Sequence, residues 1–197
     1  MLAGLLVASA NAESPWQAVV AETDIVFSGS TVGQGEAIIA ATGSEFTHCG
    51  IVFRQDGRLM VLEAVQPVRI VTLEKFMGSP RPTVFAVRRL KAPLAREALA
   101  KARAWAAAQV GKDYDVRFGW ADDRLYCSEL VWKVFEKAGV ALCPPKRFRD
   151  YNLAHPKVRA LIQARYGGMA QFPLDEPVVA PSDLAASPLL REVLPPQ

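Results

Sequence analysis

The dipeptide Asp56-Gly57 stands between two runs rich in β-branched and apolar residues, 48–53 and 59–65. Asp-Gly is the strongest short-range signal for a two-residue hairpin turn, because both central positions of that turn need positive φ. With this turn Gln55 pairs with Arg58, and every pairing outward from it is fixed. Gly50 then lies opposite Glu63, and His48 opposite Val65. Side chains alternate across a strand, so His48, Gly50, Val52, Glu63 and Val65 share one face. His48 and Glu63 become diagonal neighbours, with Cα atoms about 7–8 Å apart. A four-residue loop keeps this parity and a three-residue loop breaks it.

Glu63 interrupts the otherwise apolar run Met60-Val61-Leu62-Glu63-Ala64-Val65. A carboxylate there costs free energy unless it is paired. One reading places it at a strand edge facing water. The other has it hold the imidazole of His48, fixing its tautomer and supporting its charged form. Histidine is scarce, at positions 48 and 155 only. His155 precedes Pro156 in a cap-like setting and reads as a surface residue.

The remaining pattern predicts a strand over 24–27 and a helix over 36–42 stopped by Gly43. Further strands are predicted over 68–73 and 83–90, and helices over 94–110, 127–138 and 156–166. Strands come first and helices later, which predicts an α+β fold with an antiparallel sheet. Its length of 197 residues fits one domain. Proline thickens after Pro173, so from about 173 the chain reads as an extended tail with one short helix capped by Ser182. Residues 1–12 are uncharged and end in Ala10-Asn11-Ala12. This A-x-A pattern predicts a signal-peptide remnant, a mature chain over 13–197 and export to the periplasm. Without such a signal the protein would be cytoplasmic.

Net charge is only +3, which argues against a nucleic-acid partner. No run of 18 apolar residues offers a membrane span. Cys127 opens an amphipathic helix and shares its inner face with Val131, Val134 and Ala138. A helix N-terminus favours thiolate, whereas a buried hydrophobe is the plainer reading of a lone cysteine. Glu129 projects away from Cys127 and is expected to pair with Lys133 at i+4. Thiolate, imidazole and carboxylate are the parts of a cysteine nucleophile system. Cys127 would attack a carbonyl, His48 would hold it as thiolate and protonate the leaving group, and Glu63 would orient His48. The backbone N–H of Cys127 is the natural oxyanion donor.

Five blocks carry a family resemblance. They are Asp24-Ile25-Val26-Phe27, Thr47-His48-Cys49-Gly50-Ile51-Val52, Leu62-Glu63-Ala64, Tyr114-Asp115 and Tyr126-Cys127-Ser128-Glu129-Leu130-Val131. In their order they resemble the circularly permuted NlpC-type papain-like cysteine hydrolases, in the YiiX-like branch. The closing Pro181-Ser182-Asp183-Leu184-Ala185 is similar as well. The resemblance implies a permuted papain-like fold, an antiparallel sheet or small barrel packed against helices. It also implies amide or ester cleavage through a Cys-His-Glu triad, carried onto Cys127, His48 and Glu63.

Three readings of function follow. The first is an exported amidase or peptidase, acting on cell-wall peptides. The second uses the same triad on lipid amides or esters, as hydrolase or acyltransferase. The third is a non-catalytic binding module of the same fold. The partner is accordingly a small-molecule, peptide or lipid-amide substrate. Tyr126, Tyr114 and Trp120, with Phe118, lead into Cys127 and read either as packing or as a pocket wall with substrate or oxyanion donors. No cofactor is expected, and no metal, because nothing joins His48 at usual ligand spacings. Cys49 alternates away from His48 and reads as a buried thiol behind the sheet, with a Cys49–Cys143 bridge left open. Lys146-Arg147-Phe148-Arg149 reads as a solvated turn or as a contact for an anionic substrate.

Overall fold

The computed structural model describes residues 18–78 and 84–194. The expected signal-peptide remnant and the first residue of the strand expected over 83–90 lie outside the described residues. In chain order the first half holds β1 (Ile25–Gly29), α1 (Gly35–Thr42), β2 (His48–Gln55) and β3 (Arg58–Glu63), then β4 (Arg69–Thr72), α2 (Leu73–Gly78), β5 (Val84–Leu90) and α3 (Arg96–Ala107). The second half adds β6 (Asp113–Tyr114), β7 (Arg124–Leu125), α4 (Cys127–Lys137), β8 (Lys146–Arg147) and a 3-10 turn at Phe148–Asp150. It closes with α5 (Pro156–Tyr166), β9 (Pro177–Val178), α6 (Pro181–Ala185) and β10 (Leu190–Leu194).

Asp56 and Gly57 both take positive φ, 49° and 78°, which is the geometry the tight turn demands. Gln55 therefore pairs with Arg58 and Gly50 with Glu63. Around this hairpin grows a six-stranded sheet in the order β10-β5-β1-β2-β3-β4, antiparallel at every pairing. Alternation sorts its side chains onto two faces. Ile25, Phe27, Cys49, Ile51 and Leu62 meet Leu130, Val131 and Val134 of α4. Val26, Val52, Val61 and Val87 meet Leu73 and Phe76 of α2 on the other face. The fold is α+β, with this antiparallel sheet between helices and two short two-stranded ladders, β6-β7 and β8-β9, beside it.

Gly50 is where the hairpin admits the site. A Cβ at this position would stand 2.5 Å from Val61 Cγ1, 2.9 Å from the Leu62 carbonyl oxygen and 3.3 Å from the Phe76 ring. The same Phe76 ring stacks on His48, with centroids 5.3 Å apart. The bare backbone thus lets α2 support the imidazole from below. Gly50→Ala is expected to destabilise the fold by about 1–3 kcal/mol through overpacking, read as a lowered denaturant midpoint. An unchanged midpoint would show that the close approach is not needed.

Several expectations are corrected. The tail does not merely wrap the domain, because its end returns as β10 and pairs with β5. There Glu192 reaches Arg88 across the ladder, at 3.5 Å. Ser182 does not cap α6. Pro181 already occupies the first turn, and the Asp183 carboxylate accepts the Ala180 N–H at 2.8 Å instead. Helix α3 stops at Ala107, short of 110. The three basic side chains of the 146–149 cluster are exposed, as a solvated turn would have them, but they are ion-paired. Lys146 pairs with Asp183, Arg147 and Arg149 pair with Asp175, and Phe148 is buried. Glu129 pairs with Lys133 as expected, at 2.7 Å, but both are buried. The segment 113–124 folds over that side of α4, and its Asp122 reaches Lys133 at 2.7 Å. Burial pushes the Glu129 carboxyl up to about 7, although Lys133 and the Tyr126 N–H oppose the rise.

Candidate active site

Cys127 is the first residue of α4, so its backbone N–H is one of the amides left unpaired at a helix start. Its thiol is buried in the core between α4 and the sheet. Hydrogen bonding from the Cys49 thiol holds the Cys127 thiol well below the usual range. Burial opposes this, and hydrogen bonding and charge from His48 and the Cys49 backbone N–H reinforce it.

His48 opens β2 and keeps 20% of its side chain exposed, while Glu63 at the end of β3 keeps 3%. His48 Nε2 and Glu63 Oε2 are 2.7 Å apart. The diagonal pair foreseen from the turn is thus a hydrogen bond, and Glu63 does not face water. Burial alone would lower the pKa of His48. The bonds to Cys127 and Glu63, with their charges, outweigh it and raise the ring to about 9. Burial would likewise raise Glu63, but His48 and Arg69 hold it below the usual carboxylate range. Arg69 stands directly opposite Glu63 in the β3–β4 ladder and donates from Nε to Glu63 Oε1 at 2.8 Å. Both carboxylate oxygens are therefore held. Arg69 was not singled out in the sequence, although an opposite-charge cross-strand pair is a legible signal once the register of β4 is known.

Cys49 corrects another expectation. It does alternate away from His48 and is buried, but the face it enters is the one α4 covers. The thiol read as lying behind the sheet is therefore a neighbour of Cys127. Burial and the adjacent Cys127 charge push the Cys49 thiol well up, so it stays a donor. Cys49, Cys127 and Cys143 are all free thiols. Cys49→Ala is expected to raise the apparent pKa of Cys127 through loss of a bond to a charged group. Thiol alkylation against pH measures it, and an unmoved profile would remove Cys49 from the account.

The aromatic residues divide. Tyr114 lies beside Cys127, whose charge, after burial, pushes its phenol well up. The Tyr114 hydroxyl accepts from Gln34 Nε2 at 2.7 Å and keeps its own proton to donate. The Tyr126 ring is buried, and its hydroxyl accepts the Val179 N–H at 3.1 Å. Trp120 is corrected, because it packs on Trp132 at 5.2 Å and under Lys133 at 5.3 Å. It is not part of the cavity wall. That cavity, about 110 Å³, is lined by Cys127, Tyr114, Phe118, Tyr126, Phe148, Ile162, Phe172 and further residues that are mostly apolar.

Along the chain the histidine hairpin comes before the helix that Cys127 opens. A family model described as permuted papain-like amidase enzyme, YaeF/YiiX, C92 family, matches residues 19–194. The chain belongs to that family. The uncharacterized protein YiiX of Escherichia coli (strain K12) is 35% identical over 171 residues, 86% of this chain and 84% of that protein. The crystal structure of yiiX from Escherichia coli O157:H7 matches with a TM-score of 0.82 at 34% identity, covering 89% of this chain and 97% of that one. That protein is described as a metalloprotein. In this chain no three His, Cys, Asp or Glu side chains among the described residues form a group that could hold a metal. The Arg69 cation and the His48 ring already occupy both Glu63 oxygens, so the carboxylate at this site does not fit a metal ligand.

Proposed function

We propose that the protein cleaves amide or ester bonds through a triad of Cys127, His48 and Glu63. The observation that carries this reading is the 2.7 Å His48–Glu63 bond, beside a Cys127 thiol that hydrogen bonding and charge from His48 help to hold low. In this mechanism the Cys127 thiolate adds to the substrate carbonyl. The oxyanion meets the Cys127 N–H and the Tyr114 hydroxyl. The tetrahedral adduct collapses to a thioester while imidazolium His48 protonates the departing amine or alcohol. Neutral His48 then deprotonates water, which hydrolyses the thioester and restores the thiolate–imidazolium pair. Glu63, ionised by Arg69, keeps the ring oriented and charged. The low Cys127 thiol also speaks against a binding module, for which an activated thiolate has no use.

The mostly apolar cavity beside Cys127, about 110 Å³, favours a short acyl group with an aliphatic part. Export of a mature chain beginning near Glu13 belongs to the same proposal, and N-terminal sequencing of the native protein checks it. For the chemistry, 4-nitrophenyl butyrate should give a burst of nitrophenolate and a butyryl adduct on Cys127, read by peptide mass spectrometry. Cys127→Ala should abolish both. A burst that survives in Cys127→Ala, or an adduct elsewhere, refutes the triad.

A further inference from the structure

Among the described residues that line the cavity beside Cys127, Arg165 carries the only cationic side chain, and no carboxylate is among them. It comes from α5, near that helix's C-terminal end. Its neighbours hold it in place without neutralising it. Nη2 donates to Gln34 Oε1 at 2.6 Å, and the guanidinium lies over the Phe118 ring, 5.0 Å from its centroid. Among the described residues no carboxylate forms an ion pair with it. Its Nη1 is buried and has no hydrogen-bond partner among those residues. Burial lowers the pKa of the guanidinium, and the opposing charges of Tyr114, Tyr166 and Asp115 do not make up for it.

A desolvated cation costs several kcal/mol unless an anion meets it. An apolar side chain would fill the same wall at no such cost. Gln34 is a neutral partner that fixes where the fork points. Through its amide it also bonds the Tyr114 hydroxyl beside Cys127. The cation is thus set at a defined place within the cavity that the nucleophile opens into.

We propose that Arg165 is the specificity residue for a carboxylate carried by the part of the substrate that enters this cavity. This rests on the reading of Cys127 as the site of reaction. At about 110 Å³ the cavity is smaller than the roughly 150 Å³ that accepts benzene. The group held is therefore small, a few apolar carbons ending in the carboxylate, with the scissile carbonyl toward Cys127. Guanidinium and carboxylate match in geometry and charge, and the aliphatic part meets the aromatic wall.

Protection of Cys127 from iodoacetamide by hexanoate and by hexanamide tests this without requiring turnover. The two share a chain and differ in charge. On the wild type, hexanoate should protect at concentrations about 10-fold lower or better, the gain expected of a bond between charged groups. Arg165→Met should lose the preference while keeping the weak protection by hexanamide, and Arg165→Lys should restore part of it. Equal protection of the wild type by both compounds, protection by neither, or a preference that persists in Arg165→Met would overturn the proposal. The wild-type comparison stands even where a variant fails to fold. Failure here leaves the butyryl adduct on Cys127 intact. Loss of that adduct with hexanoate protection retained would sink the triad reading and keep the carboxylate site.

Discussion

Replacing His48 with alanine is expected to lower kcat/KM for butyryl 4-nitroanilide by about 10²–10⁴-fold, the range of a positioned acid–base group. The loss has two sources. The thiolate loses the partner that holds it, since His48 bonds and charge lower the Cys127 thiol after the Cys49 bond. The aniline also leaves without a proton donor. The corresponding 4-nitrophenyl ester needs no such donor, because nitrophenolate leaves unaided. The variant should therefore lose more on the anilide than on the ester, and steady-state kinetics on the two substrates checks it. Equal losses would mean that His48 only holds the thiolate.

Glu63→Ala is the second large effect, about 10²–10³-fold in kcat on the anilide. The sign of its pH dependence follows from His48. The ring stays protonated up to about 9 partly because Glu63 accepts from it. Wild-type activity should fall as pH rises through about 9, where the imidazolium loses its proton. Without Glu63 that alkaline limb should move to lower pH. Glu63→Gln keeps the shape and removes the charge, so it should show the same displacement with less structural damage. An alkaline limb that stays near 9 in both variants would show that Glu63 does not set the charge of His48.

Much of this site was legible because one turn fixed it. Asp56-Gly57 sets the β2–β3 register, and that register alone puts Gly50 opposite Glu63 and His48 within its reach. Arg69 escaped because the connection from β3 to β4 is no tight turn, so nothing in the sequence aligned Arg69 with Glu63. Alternation puts Cys49 on the face opposite His48, where it is buried. Alternation tells which residues share a face, but not which helix covers it. That α4 lies on the Cys49 side is a packing outcome of the long-range contacts between Ile51, Leu62 and α4. β10 was hidden by the prolines around it, although Arg88 opposite Glu192 is the kind of pair that marks a register. Arg165 carried no local signal. Its meaning lies in what surrounds it, Phe118 and Gln34, distant in sequence and joined only by the fold.

Trp120 shows the opposite error. Four aromatic residues near Cys127 suggested one pocket wall, yet the loop divides them. Tyr114, Phe118 and Tyr126 face the cavity, while Trp120 packs on Trp132 and under Lys133 of α4. The same loop thus serves the cavity with one side and desolvates α4 with the other.

The thiolate–imidazolium pair is most directly tested by the rate of Cys127 alkylation with iodoacetamide against pH, followed by peptide mass spectrometry to separate Cys127 from Cys49 and Cys143. The account predicts a half-maximal rate well below the value near 8.5 of a free thiol, moving up toward it in His48→Ala. A wild-type profile centred near 8.5 and indifferent to His48 would contradict it.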